Sequence, residues 1–65
     1  MSETATINRI KYLVKRIIDH KEGDYYSKEH YARELWCAED WLMNHHGWQE
    51  TSVKLLEIDF VKSLA

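Results

Sequence analysis

The sequence predicts an all-α fold, either a small three-helix bundle or a helical hairpin with a third helical arm. The 65 residues contain no proline and only two glycines, Gly23 and Gly47, which divide the chain into three segments of similar length. Within each segment, apolar residues recur at spacings of three and four, which is typical of an amphipathic helix. This length suits one domain, so residues 1–65 are expected to form a single helical unit.

The first helix is predicted over residues 5–21. Thr4 is the expected N-cap, and Gly23, preceded by the cation Lys21, is the expected C-terminal stop. Tyr12 points away from the apolar stripe, so the opposite face of this helix is mixed and basic. The stripe consists of Ile7, Ile10, Val14 and Ile17, flanked by Leu13 and Ile18.

The second helix is predicted over residues 28–46, between Ser27 as N-cap and Gly47 as C-terminal stop. Tyr26 before the cap and Tyr31 inside the helix have the spacing of a hydrophobic staple. The core stripe consists of Tyr31, Leu35, Ala38 and Leu42, and the apolar arc is widened by Trp36, Met43 and Trp41.

The third helix is predicted over residues 52–64, with Thr51 or Ser52 as its cap. Residues 56–60 also alternate as a strand does, but a lone strand has no partner in this chain, so helix is favoured. Leu55 and Ile58 then fall opposite the core stripe, where they indicate a second packing surface. The stripe itself consists of Val53, Leu56, Phe60 and Leu64.

The net charge of −2 is unevenly distributed. Residues 1–21 carry five bases and two acids, whereas residues 22–65 carry four bases and nine acids. Internal complementarity between helices is the simplest explanation of this asymmetry. The alternative is a basic face that contacts phosphates or an acidic partner, and it is less favoured because nucleic-acid-binding domains are usually basic overall. Its residues would be Arg9, Lys11, Lys15 and Arg16.

The residue types that support catalysis or metal binding do not have the required spacing. Cys37 stands seven residues from His30 and eight from His45, whereas zinc ligands on a helix lie three or four apart. Adjacent acids such as Glu39 and Asp40 diverge on a helix, and a bundle of this size has little room for a shielded site. We therefore predict no catalytic residues, no metal, no cofactor and no enzymatic activity.

The composition of the chain also predicts the cellular compartment of the protein. No apolar stretch approaches the ~20 residues that span a bilayer, so no membrane association is expected. A single cysteine and a polar N-terminus, residues 1–4, are typical of a cytoplasmic protein in a reducing compartment.

The aromatic content is the most informative feature for function. Eight of the 65 residues are aromatic and three of these are Trp, whereas a small bundle buries about three or four such rings. The surplus rings either cover the edges of the bundle or mark a contact surface. The candidates for a partner or oligomer interface are Tyr12, Trp36, Trp41, Trp48, Leu55 and Ile58.

The sequence therefore predicts a protein–protein interaction module that acts as an adaptor, inhibitor or assembly factor on a larger partner of unspecified identity. It is expected to form a homo-oligomer, most simply a two-fold dimer. Small acidic helical proteins are also a common form of phage-encoded effector, so a viral protein is included in this prediction. The alternative function is a nucleic-acid-associated regulator that uses the basic face of the first helix.

Overall fold

The computed structural model describes all 65 residues as three helices and no strand: α1 (Glu3–Ile18), α2 (Lys28–His46) and α3 (Glu50–Ser63). This confirms the predicted three-helix, all-α fold, and it shows that the third segment is a helix. The end of α1 contacts the start of α2 through Arg16 and Tyr31, so these two helices run antiparallel. The starts of α1 and α3 meet through Glu3 and Trp48 and their last turns also lie together, so α1 and α3 run in the same direction. None of the three helices combines the length and the apolar content needed to cross a membrane.

Helix α1 begins earlier than predicted because a serine caps it. The Ser2 hydroxyl accepts a hydrogen bond from the Ala5 amide at 3.1 Å, which satisfies one of the free donors of the first turn. Thr4, the predicted cap, lies inside the helix. The cap extends α1 by two residues beyond the predicted start.

The same helix ends at Ile18, three residues before the predicted end, and Gly23 is a loop residue instead of its stop. Gly23 has φ of +95° and stands third in a turn that begins at Lys21. In this turn the Asp24 carboxylate accepts a hydrogen bond from the Lys21 amide at 3.1 Å. This position favours glycine because other residues rarely adopt a positive φ.

Helix α2 has the predicted bounds and the predicted caps. The Ser27 hydroxyl accepts a hydrogen bond from the His30 amide at 3.1 Å. Gly47 ends the helix in the left-handed conformation with φ of +72°. The Tyr26 and Tyr31 rings meet edge to face with centroids 5.8 Å apart, as a staple requires. Both ends of α2 are thus set by local chemistry.

Helix α3 begins at Glu50, two residues before its predicted start, and neither Thr51 nor Ser52 caps it. Its N-cap is Gln49, whose side chain makes no capping hydrogen bond. The Trp48 amide donates to the Leu42 carbonyl at 3.3 Å, a local hydrogen bond that closes the C-terminal turn of α2. The long-range contact at this end is made by the Trp48 indole, which bonds Glu3 of α1 at 3.2 Å.

The core lies mainly between α1 and α2. Leu13 is completely buried and is central to the core, although its predicted position was on the flank of the stripe, and Ile18 on the other flank is exposed. The hydroxyl of Thr6, also fully buried, donates to the Ser2 carbonyl at 2.9 Å, so its burial leaves no polar group unpaired. The buried residues are Thr6, Ile10, Leu13 and Val14 of α1, Tyr31, Ala38 and Leu42 of α2, and Val53 of α3.

Helix α3 is buried at its beginning and progressively exposed towards its end. Val53 is buried, Leu56 and Phe60 are half-buried, and Leu64 is 42% exposed although it was predicted to face the core. The bundle therefore opens where the last turns of α3 pass the last turns of α1. An apolar groove lies at this opening.

Candidate interaction surface

The exposed side of α3 carries a series of aliphatic side chains. Leu55 and Ile58 were predicted to point away from the core, and the structure places both in solvent. Two further residues, Val61 and Leu64, continue the series at the same spacing of three. The exposed fractions are 58% for Leu55, 49% for Ile58, and 42% each for Val61 and Leu64.

An apolar groove of about 610 Å³ lies beside this series, where the bundle opens. One wall is formed by the last turns of α1 and the other by the second half of α3, while Leu35 of α2 lies between them. Six of the eight lining residues are hydrophobic. The lining residues are Val14, Ile17, Ile18, Leu35, Glu57, Ile58, Val61 and Lys62.

Glu57 is the acidic residue of the groove wall, and its carboxyl group is in an unusual environment. Its Oε2 atom is buried and has no hydrogen-bond partner within the chain. Burial raises the pKa of Glu57 to about 8, the neighbouring carboxyl of Glu39 adds to the rise, and Lys54 opposes it. A carboxyl in this position would be stabilised by a hydrogen-bond donor or a cation from outside the chain.

Trp36 and Trp41 are both exposed, but on different sides of α2. Five residues apart on a helix, their side chains diverge by roughly 140°. Trp36 is 64% exposed and lines a shallow depression between α2 and α3. Trp41 stacks on His45 with centroids 3.7 Å apart and borders a depression near α1. These two rings therefore cannot contribute to one flat interface.

Trp48, a third candidate, is half-buried against the core. Its indole nitrogen donates a hydrogen bond to Glu3 Oε1 at 3.2 Å, which ties the start of α3 to the start of α1. This contact gives Trp48 a role in holding the helices together. Of the remaining candidates, Tyr12 is exposed on α1 and lies under the Arg9 guanidinium at 5.5 Å.

Three of the four basic candidates on α1 are engaged within the chain. Each contacts an acidic or aromatic side chain, and one of these pairs, Arg9 with Glu34, joins the basic first segment to an acid of the remainder. Lys11 makes none of these contacts. The pairs are Arg9 with Glu34 at 3.8 Å, Lys15 with Asp19 at 2.7 Å, and Arg16 with the Tyr31 hydroxyl at 2.9 Å.

The metal-capable side chains are dispersed. No three His, Cys, Asp or Glu residues converge closely enough to hold a metal ion. His30 stacks on Tyr26 with centroids 4.2 Å apart, and His45 stacks on Trp41, so both rings pack against aromatic neighbours. Cys37 is exposed on α2.

Sequence reasoning selected Leu55 and Ile58 but missed Glu57, Val61 and Lys62. The available signal was the spacing of 57, 58, 61 and 62, which places all four on one side of a helix. The contribution of α1 to the groove had no such signal, because Ile17 is about forty positions from Ile58 in the sequence. Comparison with known proteins gave no match to a family model, a curated protein or a solved structure, so the functional argument depends on this geometry.

Proposed function

We propose that this protein is a protein–protein interaction module that binds an apolar helical surface of its partner along α3 and the adjoining groove. The observation that carries the proposal is the continuity of the groove with the exposed aliphatic series on α3. A contiguous apolar patch of this kind on a small protein typically marks an interaction site.

The shape of the groove favours a helix as the bound element. The walls are the last turns of two helices that run in the same direction, so a third helix laid along them would contact both walls. Amphipathic helices bind such grooves through apolar residues at spacings of three and four. Ile18, Ile58 and Val61 would supply the apolar contacts from this protein.

The proposed mode of action is occupation of a surface, as an adaptor, inhibitor or assembly factor does, with no chemical step. It agrees with the distribution of polar groups, since the groove contains only one acid and one base among its lining residues. A small enclosed ligand site would require several polar groups that converge on one point. Homo-oligomer formation is one form that this activity takes.

Site-specific photocrosslinking in the producing cells tests the proposal. A photoreactive side chain in place of Ile58, which is half-exposed, should give discrete crosslinked protein adducts, including adducts of the chain with itself. The same group in place of Asn8, an exposed polar residue of α1, is the matched control and should give none. If position 58 produced no more adducts than position 8, the proposal would be rejected.

The alternative function, nucleic-acid binding through α1, gains no support from the positions of Arg9, Lys15 and Arg16, which contact neighbours in the chain. A titration with duplex DNA at increasing salt discriminates between the two functions. Tight binding that weakens steeply with salt would favour the alternative, because release of counterions from phosphates has that signature.

A further inference from the structure

The four residues that α3 contributes to the groove have the arrangement of a helix-pairing seam. At about 100° per residue, Ile58 and Val61 lie near the middle of this side and Glu57 and Lys62 lie at its two edges. In a paired helix these are the g, a, d and e positions of one heptad, where a and d are apolar and g and e carry charge. The groove side of α3 is therefore suited to pair with another helix.

The charges on the two edges indicate which helix fits. In a parallel pair, the g edge of one helix faces the e edge of the other, so Glu57 would face Lys62 of a second copy. The two-fold symmetry produces this contact twice. In an antiparallel pair g faces g and e faces e, which would place Glu57 against Glu57 and Lys62 against Lys62. The charge pattern thus favours a parallel pair of identical helices.

The buried carboxyl of Glu57 gives a further reason for a cation at this place, because an adjacent cation favours the ionised form of a carboxyl. The Glu57 Oε2 atom has no partner within the chain. Glu39 from α2 and Lys54 from α3 are the charged groups that act on it, and α1 contributes only apolar side chains to the groove. An ammonium group of a second copy would offset the cost of burying this oxygen.

The groove offers a second helix apolar contacts from α1 as well as from α3. Since α1 and α3 run in the same direction, an added α3 parallel to them would lie against Ile17 and Ile18 as well as Ile58. A two-fold axis along the helices lets each copy place its α3 against the groove of the other. The apolar residues of both grooves are then covered.

We infer that the occupant of the groove is a second copy of this chain, in a parallel two-fold dimer with Ile58 and Val61 at the seam and a Glu57–Lys62 ion pair on each side. This inference rests on the proposed function, because it names the partner of the same surface. It adds the identity, the direction and the register of that partner.

A charge-exchange series measured by sedimentation equilibrium tests the dimer. Glu57→Lys and Lys62→Glu should each weaken dimerisation about tenfold, because each turns two attractive pairs into two repulsive ones. The double variant Glu57→Lys/Lys62→Glu should recover the parent affinity, and a mixture of the two single variants should form a heterodimer. Asp59→Lys, an equal charge change on an exposed residue facing away from the groove, should leave dimerisation unchanged.

Circular dichroism of every variant checks that the variant is folded. Lys62 is exposed, so Lys62→Glu tests the ion pair even if substitution of Glu57 disturbs the fold. A parent that is monomeric at every concentration would overturn the inference, as would a double variant no tighter than the single variants. A monomeric parent that still crosslinks to other proteins through position 58 would overturn the dimer alone, whereas a monomer without adducts would also remove the proposed function.

Discussion

Glu57 illustrates how one residue can connect stability with binding. Its carboxyl is half-buried between an apolar groove and a second carboxyl, so the folded chain resists its ionisation. A residue chosen for stability alone at this position would be apolar or amide. In the proposed dimer, Lys62 of the second copy would offset this cost.

The free energy of unfolding should respond to pH through this group. The pKa of Glu57 is about 8 in the folded chain against an ordinary value of 4.5, so the folded state binds the proton more tightly than the unfolded state. The contribution of Glu57 is therefore fully retained below about pH 4.5 and is lost as pH rises through 8. Glu57→Gln removes this dependence because an amide does not ionise.

We expect the free energy of unfolding of Glu57→Gln to match that of the parent near pH 4 and to exceed it by about 1 kcal/mol near pH 9, a value reduced for solvent screening of a half-exposed group. Urea unfolding followed by Trp fluorescence, at a concentration low enough to keep the chain monomeric, measures the difference. Asp59→Asn, which removes an exposed carboxyl two positions away, is the control for loss of charge. An advantage of the same size at both pH values would contradict the assignment.

At the scale of helices, local sequence determined α2 more completely than α1 or α3. Ser27 and Gly47 act within one turn of the helix ends, and both predictions were confirmed. The α1 cap was wrong because Ser2, two residues before Thr4, accepts the capping hydrogen bond. The α3 cap was wrong because the helix begins after Gln49, whose side chain makes no capping hydrogen bond, while Trp48 is held by Glu3 of α1. The first error was a choice between two nearby caps, whereas the second involves a residue distant in the chain.

Replacement of Gly47 should destabilise the fold. Gly47 lies in the short connection between α2 and α3 and has φ of +72°. A Cβ added there would contact no other atom, so the cost of a substitution comes from the backbone conformation alone. Gly47→Ala should lower the free energy of unfolding by about 1 kcal/mol, and Gly47→Asn should cost less because asparagine tolerates this conformation better. Thermal unfolding followed by circular dichroism ranks the two variants, and equal losses would argue against a backbone origin.

At the scale of the whole molecule, the buried core is small and belongs mostly to two helices. Leu42 is completely buried, whereas Trp36, the larger side chain, is 64% exposed. Size and hydrophobicity alone would assign the tryptophan the greater role in stability. The structure reverses this order because Trp36 borders the depression between α2 and α3 and keeps most of its surface in solvent.

Leu42→Ala should therefore lower the free energy of unfolding by about 3 kcal/mol, a large fraction of what a domain of this size can have. Trp36→Ala should change it by less than about 0.5 kcal/mol. Chemical denaturation of both variants, followed by circular dichroism at one protein concentration, makes the comparison. A loss on Trp36→Ala as large as that on Leu42→Ala would show that Trp36 is part of the core.

The sequence by itself determined three helices, the bounds of α2, the core stripes of α1 and α2 in outline, and the outward position of Leu55 and Ile58. These properties follow from 3.6-residue periodicity and from caps that act within one turn, so neighbouring residues carry the information. Only the tertiary structure decided that α3 leaves a groove against α1, and that Glu57 lies beside Glu39. Those contacts join residues far apart in the chain, and they depend on how closely the helices approach, which no local pattern encodes.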